Sequence, residues 1–419
     1  MTRNTRRVLV VWALAAVLAP AALACTAAVI LGSATADGRP LLWKNRDTGT
    51  RDNEIVRFAP REIDGRTTLA FVGVTNAGGT LPWGGLNEAG FAIINTLTPD
   101  MRTDGARGQG NGSFMRDALR WCRSVEDFEA QLDRTAGKRS TIATFSVIDA
   151  HGRGVTYEVG PDRHVAFDAA DPEVAEASCA AGVVVRSNFT FTANGLAPGE
   201  RATGIASTSF RRFGRAEELL GDADENAIDL RFMFEQVMRD HDGDEGARLL
   251  DTRETISRRT TVSGILIQGV RPGEDPRTAT MWVMLGEPSL SIAVPAWAAM
   301  ERTSPVADGP ETSPLCDAAE LLRARVYRTA DGGPRFDLAL LPAIHEDTLV
   351  AEREIVAAAA RGLERWRTSG VDPSEMERVH REACERALGV LRSEASAAAR
   401  PTAAKQTEPA GGDPAGSGD

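Results

Sequence analysis

The stretch Ala22-Leu23-Ala24-Cys25-Thr26 constrains this chain more than any other. Ahead of it, Arg3, Arg6 and Arg7 stand with no acid in residues 1 to 7, and residues 8 to 23 are almost wholly apolar. Ala22 and Ala24 place small side chains at the two positions a signal peptidase reads. That is a secretory signal in all three parts, and its apolar run is short of the about 20 residues a membrane span needs. The expectation is a signal over 1–24 and a mature chain starting at Cys25, periplasmic or secreted, without stable membrane insertion. A lipoprotein signal also ends at a cysteine, although it prefers a larger aliphatic residue where this chain has Ala22. A lipid-anchored binding protein with an acylated, chemically silent Cys25 is therefore the alternative.

A cysteine freed at a chain start carries a thiol and an α-amine on one framework. The amine titrates near pH 7.7 to 8.0, so close to neutrality part of it is unprotonated and accepts the thiol proton directly or through a water. This is the amine-activated variant of the nucleophile and base pair, and it needs no histidine. It attacks a carbonyl, forms a thioester and passes the acyl group to water or another acceptor. An amide, whose leaving nitrogen the same amine can protonate, is the natural substrate.

Composition sets the remaining bounds. About 395 residues beyond the signal suffice for one large domain and an appendage. A net charge of -11 argues against a nucleic-acid partner, which would require a basic face. Of five cysteines, Cys122, Cys179, Cys316 and Cys384 remain once Cys25 is set aside; they allow three pairings, and free buried thiols are as good a reading as any of them. No phosphate-binding glycine pattern or metal-ligand spacing is present, so no cofactor or metal is expected. His241 between Asp240 and Asp242 lacks both a calcium-loop spacing and a second histidine.

In chain order, Thr26 to Leu31 reads as a buried strand starting at the cysteine, and Ala36 to Arg39 as a turn. Pro40 to Thr48 then pairs back as a hairpin that returns Lys44, Arg46 and Asp47 toward residue 25. Further strands are expected at 54–58, 67–74, 91–96, 141–149, 154–159, 182–187, 261–268 and 278–285, with 84–90 a turn. Helices are expected at 114–122, 125–134, 207–220 and 226–239, Ser113 capping the first of them. Strands grouped in blocks between helices suggest two sheets with helices outside them. Residues 301–315 read as a linker, 317–328, 346–367 and 373–398 as a helical extension, and 399–419 as a disordered tail.

Several segments together resemble a known family. They are Cys25-Thr26 behind a signal, Asp37 to Thr48, Gly85 to Gly90 with Asn95-Thr96, the run from Asn111 to Leu132, Val185 to Phe189, Asp240-His241 and Ile256 to Thr260. In this order they resemble the acyl-coenzyme A:6-aminopenicillanic acid acyltransferase-like hydrolases. These form the peptidase C45 group of N-terminal nucleophile hydrolases, distant relatives of the choloylglycine hydrolases. The similarity runs over about 25–300.

The resemblance implies an α+β fold, a four-layer αββα sandwich, and a small-molecule or peptide amide substrate. It implies Cys25 as nucleophile and, through its own amine, base; Asp47 as the carboxylate bonded to that amine; and a basic residue three places earlier, here Lys44 where arginine is usual. Lysine lacks the planar two-pronged contact, which leaves Arg46 as another source of the charge. Asn188 matches the oxyanion donor, worth about 3 to 4 kcal/mol in comparable sites, and Asn95 offers a backbone N–H to the same hole. Arg258 or Arg259 supplies a further arginine, Arg259 being preferred. Taken singly, an asparagine after a strand is more often a turn residue and paired arginines more often surface charge; the joint pattern carries the set.

Overall fold

The computed structural model describes residues 25–176, 178–196, 208–224, 227–241, 248–309 and 312–397. The expected signal and the expected tail lie outside these residues, as does Asp242.

The first strand, Thr26–Ile30, and the second, Leu41–Asp47, form the hairpin the sequence suggests, in register from Thr26 opposite Asn45 to Ile30 opposite Leu41. Gly38, at φ 73°, turns the chain between them where a side chain would be strained. This hairpin supplies the second and third strands of a six-stranded antiparallel sheet ordered Val183–Arg186, Thr26–Ile30, Leu41–Asp47, Thr261–Gln268, Thr280–Leu285, Val294–Ala296. Both hairpin strands are buried along their whole length, as strands covered on both faces must be.

A second sheet of seven strands lies beneath it, ordered His164–Asp168, Gly154–Val159, Ala143–Ile148, Ala92–Leu97, Gly84–Asn87, Phe71–Asn76, Asn53–Phe58. The period of two sorts its side chains. Along Ala92–Leu97, Ala92 and Ile94 point into the core between the sheets, whereas Ile93 points outward. There it meets Phe114, Phe128 and Phe145 under the helices Asn111–Trp121 and Val125–Thr135. The other outer layer, on the six-stranded sheet, consists of Thr208–Gly221, Pro314–Val326, Leu341–Ser369 and Pro373–Ala397. The result is the expected αββα sandwich.

Three differences from the sequence reading have physical causes. Gly84–Asn87 is a strand and the turn falls after it, because a Cβ on Gly85 would lie 2.7 Å from both the Leu119 side chain and the Val72 carbonyl. These glycines admit close packing inside a sheet. The helix expected at 226–239 is cut to Leu230–Phe232 and a π turn, Met233–Val237, and Ser113 caps nothing because its helix begins at Asn111. Finally, the described parts of the expected linker, 301–309 and 312–315, pack on the main domain: Ala307 accepts a hydrogen bond from Ile55 on the outermost strand of the seven-stranded sheet, and Ser304 and Ser313 are buried.

The C-terminal helices share the main core. A hairpin the sequence reading omits, Tyr327–Ala330 with Gly333–Asp337, links them. Trp366 stands edge-on to Trp297 at 5.2 Å, and its indole N–H donates to Glu375. Trp366→Ala is expected to cost about 3–5 kcal/mol, the range for truncating a buried aromatic. Urea unfolding would measure it, and a loss below about 1 kcal/mol would mean that these helices are only lightly attached.

All five cysteines are free. Burial pushes the Cys122, Cys179 and Cys316 thiols up to about 12 and Cys384 higher still, which removes the thiolate that makes cysteine reactive. His241 packs against the Phe336 ring, centroids 4.4 Å apart, and burial pushes its pKa down to about 3.

Candidate active site

Cys25 sits at the head of the first strand, only 6% exposed, with its thiol 3.9 Å from the Asp47 carbonyl. Two neighbouring strands bring groups to it. Asn45 faces Thr26 on one side and Arg186 faces Ala27 on the other. Continuing these registers toward residue 25 brings Arg46 and Asn188 beside it. The hairpin therefore delivers the charged end of the second strand to the cysteine.

Asp47 is 2% exposed and held from the Thr261–Gln268 strand. Thr261 donates its hydroxyl to Oδ1 at 2.6 Å, and Arg258 Nε lies 3.5 Å from Oδ2. The ladder shifts register between Thr261 and Ser263, and a bulge of this kind re-aims side chains. A tight turn precedes it, Thr261 N donating to the Arg258 carbonyl and Arg258 N to the Thr261 hydroxyl. Burial pushes the Asp47 carboxyl up, opposed by Arg258, Arg212, the Thr261 bond and Lys44.

The turn decides between the two arginines. Arg258, 7% exposed, reaches Asp47, whereas the Arg259 side chain is exposed. Arg259 takes part through its backbone, whose carbonyl accepts from Arg51 and Arg323 at 3.0 Å each. Of the two arginines, Arg258 and not the preferred Arg259 is the one whose side chain meets Asp47. Adjacent residues in a turn point to opposite sides, and a sequence without its turn geometry does not say which side is inward.

Lys44 crosses between the sheets. Its ammonium donates to the Trp83 carbonyl at 2.7 Å and to Asn95 Oδ1 at 2.8 Å. Asn95 therefore meets the site through its side chain, which anchors the lysine. Burial pushes the Lys44 pKa down to about 8, while Cys25 and Asp47 support its charge. Arg46 lies over the Trp83 ring and bonds Asn53 and Asn76, so both cations considered from sequence are present, sharing Trp83 and otherwise holding different partners.

Asn188 donates through Nδ2 to the Leu97 carbonyl at 2.7 Å. Beside it Thr96 donates its hydroxyl to the Ser187 carbonyl at 2.8 Å, tying the end of Val183–Arg186 to the seven-stranded sheet. The sequence reading omits one member of the cluster, Arg212 on the helix Thr208–Gly221, which bonds the Cys25 carbonyl at 2.8 Å and the Thr26 hydroxyl at 2.7 Å. It shares the buried face of that helix with Ala216 and Leu220, and an arginine on an apolar i, i+4, i+8 stripe is the signal that marks it.

Four cations, Lys44, Arg46, Arg212 and Arg258, thus surround one carboxylate and one thiol. Such a field favours negative charge developing on an oxygen held next to the thiol. It also predicts a pH limit. Lys44 holds its proton below about pH 8 and loses it above, so Cys25-dependent turnover should fall with a midpoint near 8. Lys44→Arg, which keeps its charge, should move that alkaline limb upward in a pH-rate profile; an unmoved limb would assign it to another group.

No family model matches the chain, and no curated protein matches it. Among solved structures it is similar to a variant of the conjugated bile acid hydrolase from Clostridium perfringens, at 16% identity over 62% of this chain and 89% of that one, with a TM-score of 0.39. It is similar to a Caenorhabditis elegans N-acylethanolamine-hydrolyzing acid amidase ortholog, at 15% identity over 58% and 92%, with a TM-score of 0.38. A penicillin V acylase from Agrobacterium tumefaciens matches at 16% over 65% and 85%, with a TM-score of 0.39. On its own topology the chain is a four-layer αββα sandwich with a cysteine at the head of an interior strand.

Proposed function

We propose that this protein is an exported N-terminal cysteine amidohydrolase, cleaved after Ala24, that hydrolyses a linear amide of a small molecule or peptide through a thioester. The observation that carries the reading is the convergence on Cys25 of Asp47 with Arg258, Lys44 with Asn95, and Asn188, drawn from two strands, the loop that follows a third, and one turn.

In the proposed cycle the Cys25 α-amine takes the thiol proton and the sulfur attacks the amide carbon. Asn188, with a backbone N–H, donates to the oxyanion, and Asp47 accepts from the amine and supports its ammonium form. As the tetrahedral adduct collapses, the ammonium gives its proton to the nitrogen, the C–N bond breaks and the amine product leaves. A water then gives a proton to the amine and its oxygen to the acyl carbon, releasing the acid and the thiol. An amine or thiol acceptor in place of that water makes the same intermediate an acyltransferase.

The test is the intact mass and N-terminal sequence of protein expressed with its own signal and recovered from the periplasm of a bacterial host. A chain beginning at unmodified Cys25 that hydrolyses N-acyl aminocoumarins, and loses this with Cys25→Ser, supports the reading. A lipid adduct on Cys25 would remove both thiol and amine, and would install the anchored binding protein in its place.

A further inference from the structure

Arg212 is expensive to keep where it is. Its side chain is 0% exposed, and among the described residues all its hydrogen bonds go to neutral oxygens. Removing a guanidinium from water costs several kcal/mol unless something nearby offsets it, and burial pushes its pKa down to about 10. Docking the helix alone would be served better by an apolar side chain at this position, since Phe213, Ala216 and Leu220 already seal the same face.

What Arg212 touches gives a reason for its cost. One terminal nitrogen, Nη1, spans the Cys25 carbonyl and the Thr26 hydroxyl, while the other, Nη2, lies 3.5 Å from Asn188 Oδ1 and 3.3 Å from Ser209 Oγ. Guanidinium groups only donate, so Asn188 must turn its oxygen toward Arg212 and its NH2 away. One N–H of that amide goes to the Leu97 carbonyl, which leaves the other for an oxyanion. The planar fork fixes the distance between nucleophile and amide in a way a point charge does not.

We infer that Arg212 is a positioning residue that locks the Cys25 backbone and the Asn188 side chain to each other, setting which face of the amide donates during acyl transfer. The inference rests on the amidohydrolase reading above. Arg212 acts through two other residues and touches no substrate. The two hydrogen bonds to the strand hold the nucleophile, and the longer contact to Asn188 sets the donor.

The experiment compares full-length protein processed to Cys25 as wild type, Arg212→Lys, Arg212→Gln and Cys25→Ser. Two readouts are taken, the rate of Cys25 alkylation by iodoacetamide, located by mass, and kcat and KM on N-acyl aminocoumarins. Arg212→Gln should lower kcat about 100-fold, the scale of losing one oxyanion donor, with KM within about 3-fold and alkylation slowed about 10-fold. Arg212→Lys keeps the charge and loses the fork, so alkylation should stay within about 3-fold of wild type while kcat falls about 10-fold. If Arg212→Gln does not fold, the split in Arg212→Lys decides alone. Equal kcat and equal alkylation in the variants and an active wild type would overturn the inference and leave the amidohydrolase reading standing. If the wild type turns over none of the panel, slowed alkylation in Arg212→Gln still supports the lock and unchanged alkylation overturns it. A wild-type Cys25 alkylated no faster than in the urea-unfolded chain would overturn both.

Discussion

Protein carrying one residue ahead of Cys25, such as a glycine held on by a noncleavable leader, should lose about 10²–10⁴-fold in amide turnover, the range a positioned general base supplies. A peptide nitrogen in place of the α-amine cannot accept the thiol proton or return it to the leaving group. None of the five histidines stands in. His151 is exposed in the turn between Ala143–Ile148 and Gly154–Val159, His164 begins the edge strand of the seven-stranded sheet, His241 packs on Phe336, and His345 and His380 bond the carbonyls of Ser289 and Pro295. The competing base is Lys44, whose pKa is pushed down to about 8 by burial. Its two hydrogen-bond partners among the described residues, the Trp83 carbonyl and Asn95 Oδ1, both accept, which favours the ammonium form over a free base. The two possibilities separate by pH. If the amine is the base, the extended chain is inactive at every pH; if Lys44 is the base, it regains activity as the pH rises through 8. Alkylation by iodoacetamide shows whether the thiol of the extended chain is still accessible, so an inactive but alkylated protein isolates the missing base.

The half of this site that lies on local sequence is legible in the order of residues alone. A strand beginning at Cys25, a turn around Gly38 and a strand ending at Asp47 can pair in only one convenient way, and that pairing brings Lys44, Arg46 and Asp47 to the cysteine. Asn188 follows from a resemblance and not from pattern, since its place beside Cys25 depends on the pairing of Ala27 with Arg186, strands about 160 residues apart in sequence. Arg212 is harder still. It comes from a helix in the outer layer, and nothing but its place on an apolar stripe separates it from its exposed neighbour Arg211. The C-terminal hairpin at 327–337 is short and mostly polar, and weak alternation over four or five residues is easily absorbed into flanking helical periodicity. Its role is also long-range: Tyr327 bonds Glu287, and Arg323 on the preceding helix bonds the carbonyl of Arg259, one residue from the arginine on Asp47.

That turn carries the second large effect. Arg258→Gln should lower turnover about 10²-fold or more, whereas Arg259→Gln, which alters an exposed side chain and leaves its carbonyl in place, should stay within about 3-fold. Arg258 is the strongest group opposing the upward pressure of burial on the Asp47 carboxyl. Without it the carboxyl is protonated at a higher pH, the α-amine loses its anionic partner sooner as the pH falls, and the acid limb of the pH-rate profile moves up. The stability effect has a definite sign. A carboxyl whose folded pKa is raised above its unfolded value costs stability when ionised, and the cost starts to shrink as the pH falls to the folded value and is gone below the unfolded one. Breaking the pair should therefore cost about 3–5 kcal/mol at pH 7.5, where Asp47 would be buried with less compensation, and distinctly less at pH 5. Urea unfolding at the two pH values measures the difference. An equal loss at both would mean that Arg258 supports the fold through packing and not through Asp47, and a deeper loss in Arg259→Gln than in Arg258→Gln would reverse the assignment made from the turn.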